Sequence, residues 1–555
     1  MTKVRIILSV IIILAAVLRF WQLDTFPAIN ADEASNAYDA WSLIQTGRDQ
    51  HGNPWPVHFQ SFGDFKPGLY VYLDIPFIYT MGLTPLAARM PGALAGVLSV
   101  WLIYLLARQI QKIHQSPITN HWPLIAALFL AIFPWHIHFS RGGWEVNVGT
   151  MFLIVGVYFF LKYINQSTRN LLYVVCSVLG FVLSVYAYQA TRIIAPLLGF
   201  ALVIIFYKKV FANIKPFFIA TIFGVILMLP LVFDFTQGNA FSRVAGVGLF
   251  ADPGPLSRIN EQRGEHTDYN NLLAKIYHNK PVNYGLAFLD NWASHFHGEF
   301  LFLSGDEIQR NKIPETGQMY MFDLVFVVIG LIYLISSKGG SGSAGKQLII
   351  AWLLIAPMAS ALTFQSPHAL RAQNMVIPLV LISSLGFSAI LELISKLKVK
   401  KLIGICKLII GILILWGFVR YELMYWQHMY KEYPFSSQYG IKQLAQFLKP
   451  ITDNYQKIII TDRYDQPYIL MLFYLQIQPS EFQFNHVLTD RDGFGFSTVR
   501  AFGNFELTSI DFEAKKTQNP NSLIIGTDKE IPDEANIIKN IYGENGFLYF
   551  QVVEN

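Results

Sequence analysis
Cysteine is almost absent from this chain. Only Cys176 and Cys406 occur in 555 residues, both inside apolar runs, which argues against a disulfide framework or a cysteine zinc site. Charge is scarce too: 14% of residues are charged, against 53% hydrophobic and 15% aromatic. That balance suits a polytopic membrane protein and not a soluble one. The net charge of +5 is small for this length, so no nucleic-acid partner follows from it. The chain lacks a Gly-rich phosphate loop in its polar tail, so no nucleotide is assigned there. It also lacks the obvious internal repeat that many transporters carry. After its first apolar run there is no small-residue cleavage site, so that run reads as a retained helix.

What the sequence has in quantity is long apolar stretches. Eleven of them, at 4–21, 88–107, 122–140, 146–162, 171–188, 192–207, 217–235, 321–337, 347–364, 373–394 and 402–420, are candidates to cross a bilayer as helices. The segment 69–87 is apolar but broken by Asp74, Pro76, Gly82 and Pro85. The short connecting loops on one side carry Lys and Arg without Asp or Glu: Lys3/Arg5, Arg108/Lys112, Lys162/Arg169, Lys208/Lys209/Lys215, Lys338/Lys346 and Lys396/Lys398/Lys400/Lys401. Positive loops stay on the cytoplasmic side. All six fall inside only if 69–87 does not cross, so it reads as a juxtamembrane or re-entrant piece of the outer face. The expectation is about eleven spans in a multi-pass protein of the cytoplasmic membrane, N-terminus inside and C-terminus outside.

This topology divides the chain into a membrane domain, 1–420, with large outer loops at 22–87 and 236–320, and an extracytoplasmic α/β domain, 421–555. In the tail, Lys457–Thr461 and Ser522–Gly526 read as buried strands, Ile441–Leu448 as a helix and Phe547–Val553 as an edge strand. The run Gly339-Gly340-Ser341-Gly342-Ser343 reads as a flexible inner loop.

The same topology sorts the notable polar residues onto the outer face. Asp32 and Glu33 open an Ala-rich segment that favours a helix, whose N-terminus stabilises a carboxylate. Such a carboxylate can take a proton from an attacking hydroxyl; taken alone, the pair reads first as helix capping and solvation. Lys66, with Asp64 two residues before it, stands where the chain re-enters the membrane and suits a lipid phosphate or plain snorkelling. Arg19, Arg141, Arg192, Arg310 and Arg371 map to the same side. Arginines bind phosphate oxygens in a fork, so this set points to a phosphate-bearing lipid. Arg141 and Glu145 are four apart and can pair with each other. Asp306 and His368 are supporting candidates. His136 and His138 are two apart and face different ways on a helix, and His295 and His297 have no evident third ligand.

These residues resemble the bacterial GT-C integral membrane glycosyltransferases of the protein O-mannosyltransferase and lipid A aminoarabinose transferase type. The resemblance covers about the first four hundred residues and rests on Asp32-Glu33, Thr46-Gly47-Arg48-Asp49, Lys66-Pro67, Arg89-Met90-Pro91-Gly92, Ser140-Arg141 and Pro367-His368-Ala369-Leu370-Arg371. It departs from the usual Lys-Pro-Pro or His-Pro-Pro run at Gly68.

The resemblance implies a GT-C fold and a direct displacement. A polyprenyl-phosphate sugar is the donor, and a lipid, glycan or protein hydroxyl is the acceptor. Asp32, with Glu33 beside it, acts as base, and Lys66 with the arginines holds the leaving phosphate. One displacement inverts the anomeric carbon. The scheme requires no cofactor, while Glu33 or Asp64 with a histidine are left as candidates for a divalent metal. A flippase for lipid-linked sugars, an oligosaccharide ligase or polymerase, and a non-catalytic scaffold are the alternatives.

Overall fold
The computed structural model describes residues 2–114, 121–166, 170–236, 246–336, 343–491 and 497–555. Arg169, Lys338 and the Gly/Ser residues 339–342 lie outside these described residues. The first nine helices are α1 (Thr2–Phe20), α2 (Ala31–Thr46), α3 (Leu69–Met81), α4 (Pro85–His114), α5 (Trp122–Ile132), α6 (Pro134–Ser140), α7 (Glu145–Ile164), α8 (Leu171–Ala187) and α9 (Thr191–Ile205). Strands β1 (His58–Ser61) and β2 (Asp64–Pro67) form a hairpin between α2 and α3. Further apolar helices follow at Lys215–Thr236, Asp323–Ser336, Ser343–Ile355, Val376–Ser395 and Lys400–Leu423.

Every one of the eleven apolar stretches is therefore helical, yet their lengths differ. Among the described residues six helices are long and apolar enough to cross a membrane, or seven if one bent pair counts as a single span. Helix α3 has 13 residues. At 1.5 Å per residue it is about 20 Å long, shorter than a bilayer core. The bent pair is α5 and α6, which meet at 57°. Pro134 lacks an N–H and crowds the preceding turn, so the helix breaks there. The break releases carbonyls, and buried Arg19 fills the gap: Nη1 donates to the oxygens of Ala15 (3.1 Å) and Ala131 (3.0 Å), Nη2 to that of Leu130 (3.2 Å) and to His136 Nδ1 (2.7 Å). Arg19 thus ties α1 to the bend.

The chain resolves into two compact units. One holds 1–19, 94–140 and 145–424 and contains most of the apolar helices; the other holds 20–93, 141–144 and 425–555. In the second unit the C-terminal segment forms a seven-stranded sheet of order β4-β5-β6-β3-β7-β9-β8. Its strands are β3 (Lys457–Ile460), β4 (His486–Leu488), β5 (Val499–Phe502), β6 (Phe505–Leu507), β7 (Ser522–Gly526), β8 (Ile537–Tyr542) and β9 (Leu548–Glu554). β3 runs parallel to β6 and β7, and the other pairings are antiparallel. The two strands expected to be buried form the centre of the sheet. β9 corrects the expectation of an edge strand: it lies between β7 and β8, and its Tyr549, Phe550, Val552 and Val553 are buried. The outer place belongs to β8, whose residues are mostly exposed.

Residues 22–87 and the tail share one hydrophobic core. Ala34, Ala37, Tyr38 and Leu43 of α2 pack in the same cluster as Ile458, Ile460, Tyr468, Phe482 and Phe502. Tyr38 donates its hydroxyl to the carbonyl of Ile477 (2.8 Å), and Gln483 Nε2 bonds Ser42 Oγ, Thr46 Oγ1 and the Asp49 carbonyl. His51 Nδ1 stands 3.2 Å from His486 Nε2.

Candidate functional site
Helix α2 begins with Asn30, whose side chain accepts from the Glu33 N–H while the Glu33 carboxylate accepts from the Asn30 N–H. This reciprocal cap fixes the first turn. Gly47, at φ 70°, closes the far end in the left-handed region. Alanines at 31, 34, 37 and 40 let the helix pack closely, and all are buried. Asp32, Ser35, Asn36 and Asp39 are spaced i, i+3, i+4 and i+7, so they form a polar stripe along one face.

Glu33 faces elsewhere and is fully engaged. Arg89 of α4 meets it in a fork, Nε to Oε1 at 2.7 Å and Nη2 to Oε2 at 3.0 Å. The Asn30 side-chain amide (2.9 Å) and the Gly143 N–H (2.7 Å) add two further donors. Both members of the pair are at most 1% exposed. Asp32, one residue earlier, is only partly buried.

Lys66 arrives on the β1–β2 hairpin. Its turn residues Phe62 and Gly63 have φ 54° and 71°, which gives the tight two-residue turn that suits twisted strands. Lys66 Nζ donates to Ser35 Oγ at 2.8 Å and stands 3.8 Å from Asp39 Oδ2. The ammonium is thereby pinned to the polar stripe of α2, one turn along from Asp32. Ser35 Oγ also accepts from Gln50 Nε2 (3.1 Å), which leaves its own proton for Ser61 Oγ (3.1 Å). Asp39 is fully buried and accepts from the Gln50 N–H (3.0 Å) and Gln50 Nε2 (3.3 Å). Burial pushes the Asp39 carboxyl up to about 7, against the opposing pull of Lys66 and with a further push from Asp49.

Gly68, the departure from the expected Lys-Pro-Pro run, has a steric reason. A Cβ there would lie 2.7 Å from the Phe59 ring and 2.8 Å from the Val57 carbonyl, and the Gly68 N–H already donates to that carbonyl at 3.1 Å. Strand β1 presses on this position, so no side chain fits.

Arg141 belongs to the same unit. Its Nη2 donates to the carbonyls of Trp21 (2.8 Å) and Phe26 (3.1 Å), its Nε to Tyr425 Oη (2.9 Å), and its guanidinium lies 4.7 Å from the Trp426 ring centroid. Asp64 sits in β2 with its side chain buried.

The remaining candidates lie in the helical unit. Asp306 Oδ2 accepts from Asn311 Nδ2 (3.0 Å) and the Ala369 N–H (2.6 Å) and stands 3.8 Å from His368 Nδ1, so two of the supporting residues do meet. Burial raises the Asp306 carboxyl above its ordinary range. The His368 N–H donates to His295 Nε2 (3.2 Å), whose Nδ1 bonds the Asn291 carbonyl (2.8 Å). With both ring nitrogens engaged and burial holding it down at about 4, His295 stays neutral and offers no lone pair to a metal. Arg371 Nη1 donates to Thr363 Oγ1 (2.7 Å), the Arg310 carbonyl accepts from His138 Nε2 (3.0 Å), and Arg192 stacks on Phe235 at 5.1 Å. Glu145 is buried at the start of α7. Among the described residues no three His, Cys, Asp or Glu side chains converge as a metal site. The same unit holds an apolar cavity of about 490 Å³ lined by Met321, Phe322, Val325, Ile390, Leu413 and Trp416 among others.

Arg89, Ser35, Asp39 and Gln50 were not singled out for a role by sequence reasoning. The stripe spacing on α2 carries the signal for Ser35 and Asp39. Arg89 lies 56 residues from Glu33 and has no local signal.

Residues 68–233 match the family model of dolichyl-phosphate-mannose-protein mannosyltransferases. No curated protein sequence matches the chain. Among solved structures, ArnT from Cupriavidus metallidurans in the apo state aligns over 98% of this chain and 97% of its own, with TM-score 0.52 and 10% identity. The same protein bound to undecaprenyl phosphate gives TM-score 0.52 and 11% identity over the same shares. The archaeal oligosaccharyltransferase AglB from Archaeoglobus fulgidus, in complex with an inhibitory peptide and a dolichol-phosphate, gives 0.49 at 13% identity, over 84% of this chain and 63% of its own. The fold is that of the GT-C membrane glycosyltransferases.

Proposed function
We propose that this chain, with its GT-C fold, is a membrane glycosyltransferase that moves a sugar from a polyprenyl-phosphate donor to an acceptor hydroxyl at the outer face of the cytoplasmic membrane. The observation that carries the reading is the bond between Lys66 Nζ and Ser35 Oγ, which fixes a cation to the helix whose first turn holds Asp32. A displacement needs those two charges at a set spacing: a base for the acceptor and a cation for the leaving phosphate. The acceptor O–H gives its proton to the Asp32 carboxylate as its oxygen bonds the anomeric carbon. The bond from that carbon to the phosphate oxygen breaks, and polyprenyl phosphate leaves against Lys66. The anomeric centre inverts, and Asp32 then returns its proton to solvent. No metal enters these steps.

Glu33 holds the frame in this reading. Its carboxylate is spent on Arg89, Asn30 and Gly143. Arg141, enclosed by Tyr425 and Trp426, holds the Trp21 and Phe26 carbonyls and so fixes the entry to α2. Match to a mannosyltransferase family model and likeness to a structure holding undecaprenyl phosphate support a lipid-linked donor.

The test is incubation of purified protein with a panel of polyprenyl-phosphate sugars and candidate acceptors, followed by mass spectrometry of the freed lipid phosphate and the product. Transfer that disappears in Asp32→Asn while membrane insertion stays normal supports the reading. Transfer by no donor, or transfer untouched by that substitution, overturns it.

A further inference from the structure
We propose that Asp39 is a positioning residue that competes with the lipid phosphate for Lys66 and so weakens the hold on the departing product. The proposal rests on the reading of Lys66 as the phosphate ligand.

The geometry carries it. Lys66 Nζ is 3.8 Å from Asp39 Oδ2, too long for a direct hydrogen bond but close enough for strong attraction in a buried site. The near partner of the ammonium is neutral: Ser35 Oγ at 2.8 Å. Asp39 cannot swing away, because both its oxygens accept from Gln50. Ser35 is held in turn by Ser61 and by the same Gln50 amide. A fixed carboxylate therefore stands close to a fixed ammonium whose nearest partner is a neutral hydroxyl.

The reaction changes the charge that this pair meets. A polyprenyl-phosphate sugar is a phosphodiester with one negative charge. The product is a monoester whose second ionisation lies near pH 6, so it carries about two charges at pH 8. A carboxylate behind Lys66 opposes the dianion more than the monoanion, which favours product departure. When Asp39 is protonated that opposition vanishes, and burial brings its titration into the neutral range.

The groups that face Asp39 do not blur this effect. Tyr38 on its own helix and Tyr468 on the helix Pro467–Leu475 are both held protonated by burial. His51, in the loop after α2, is pushed down to about 3 and stays neutral. Asp49, in the same loop, is also raised by burial and pushes the Asp39 carboxyl further up. A substitution at Asp39 isolates its share.

The experiment measures binding of undecaprenyl phosphate to the full chain in nanodiscs at pH 6 and pH 8. At pH 8, Asp39→Asn binds about tenfold more tightly than wild type, the effect of removing one charge at this range. At pH 6 the two agree within about twofold, since Asp39 is then mostly protonated. Ser35→Ala removes the hydroxyl that holds Lys66 Nζ and frees it to pair directly with Asp39, so it binds more weakly than wild type at pH 8 and recovers at pH 6. This second variant keeps the test open should Asp39→Asn fail to fold. Equal affinities of wild type and Asp39→Asn at pH 8, or a Ser35→Ala effect that ignores pH, overturn the proposal. Sugar transfer is scored separately. Its absence with every donor removes the catalytic reading while the pH-dependent split stands; normal transfer with no split removes only the role of Asp39.

Discussion
Asp32 and Glu33 are neighbours in sequence but not in surroundings. Five N–H groups point at the Glu33 carboxylate, two of them from a guanidinium that is itself fully buried. Removing one member of such a pair strands the other charge in the interior. Glu33→Gln should therefore cost about 3–5 kcal/mol, read as a lower apparent melting temperature and poor recovery of folded protein. Asp32→Asn should leave stability near wild type and lower kcat by about 10²–10⁴-fold, the usual worth of a general base, with donor KM little changed. A loss of folding in Asp32→Asn, or a stable but inactive Glu33→Gln, would exchange the two roles. The local part of this difference was legible: Asn30 and Glu33 stand three apart, the spacing of a reciprocal cap. The decisive part was not, because Arg89 and Gly143 reach Glu33 from distant segments whose approach no local pattern encodes.

Elements show the same boundary between local and long-range information. Apolar runs marked the helices well, since hydrophobic length is a property of consecutive residues. The 57° bend between α5 and α6 was hidden inside one such run, although Pro134 was its local sign. The place of β9 was hidden for another reason: the order of strands depends on pairing, and a half-apolar strand reads alike at an edge or beside one. The β1–β2 hairpin gives a test at this scale. Gly68 leaves Lys66 its position only because nothing projects toward Phe59 and Val57. Gly68→Ala should push the hairpin off α2, costing about 1–3 kcal/mol and raising donor KM several-fold with a smaller change in kcat. Substrate-saturation curves over the donor separate these, and an unchanged KM would mean that Lys66 does not depend on the local packing.

The sheet domain and residues 22–87 share a single core, so the tail serves as the wall against which α2 is built. Phe482 is at the middle of this wall. It is 1% exposed and packs its ring against Tyr38 of α2, Tyr468, Phe502 and His486. Phe482→Ala opens a cavity there and should cost about 3–5 kcal/mol. Because the core is continuous, the damage should not stay in the sheet. Hydrogen exchange of backbone amides 31–46 should speed up alongside those of β5 and β6, and sugar transfer should fall although no residue near Asp32 or Lys66 has changed. Faster exchange confined to 457–554, with α2 as protected as in wild type, would show that the tail folds without supporting the acidic helix and would leave its presence in this chain unexplained by catalysis.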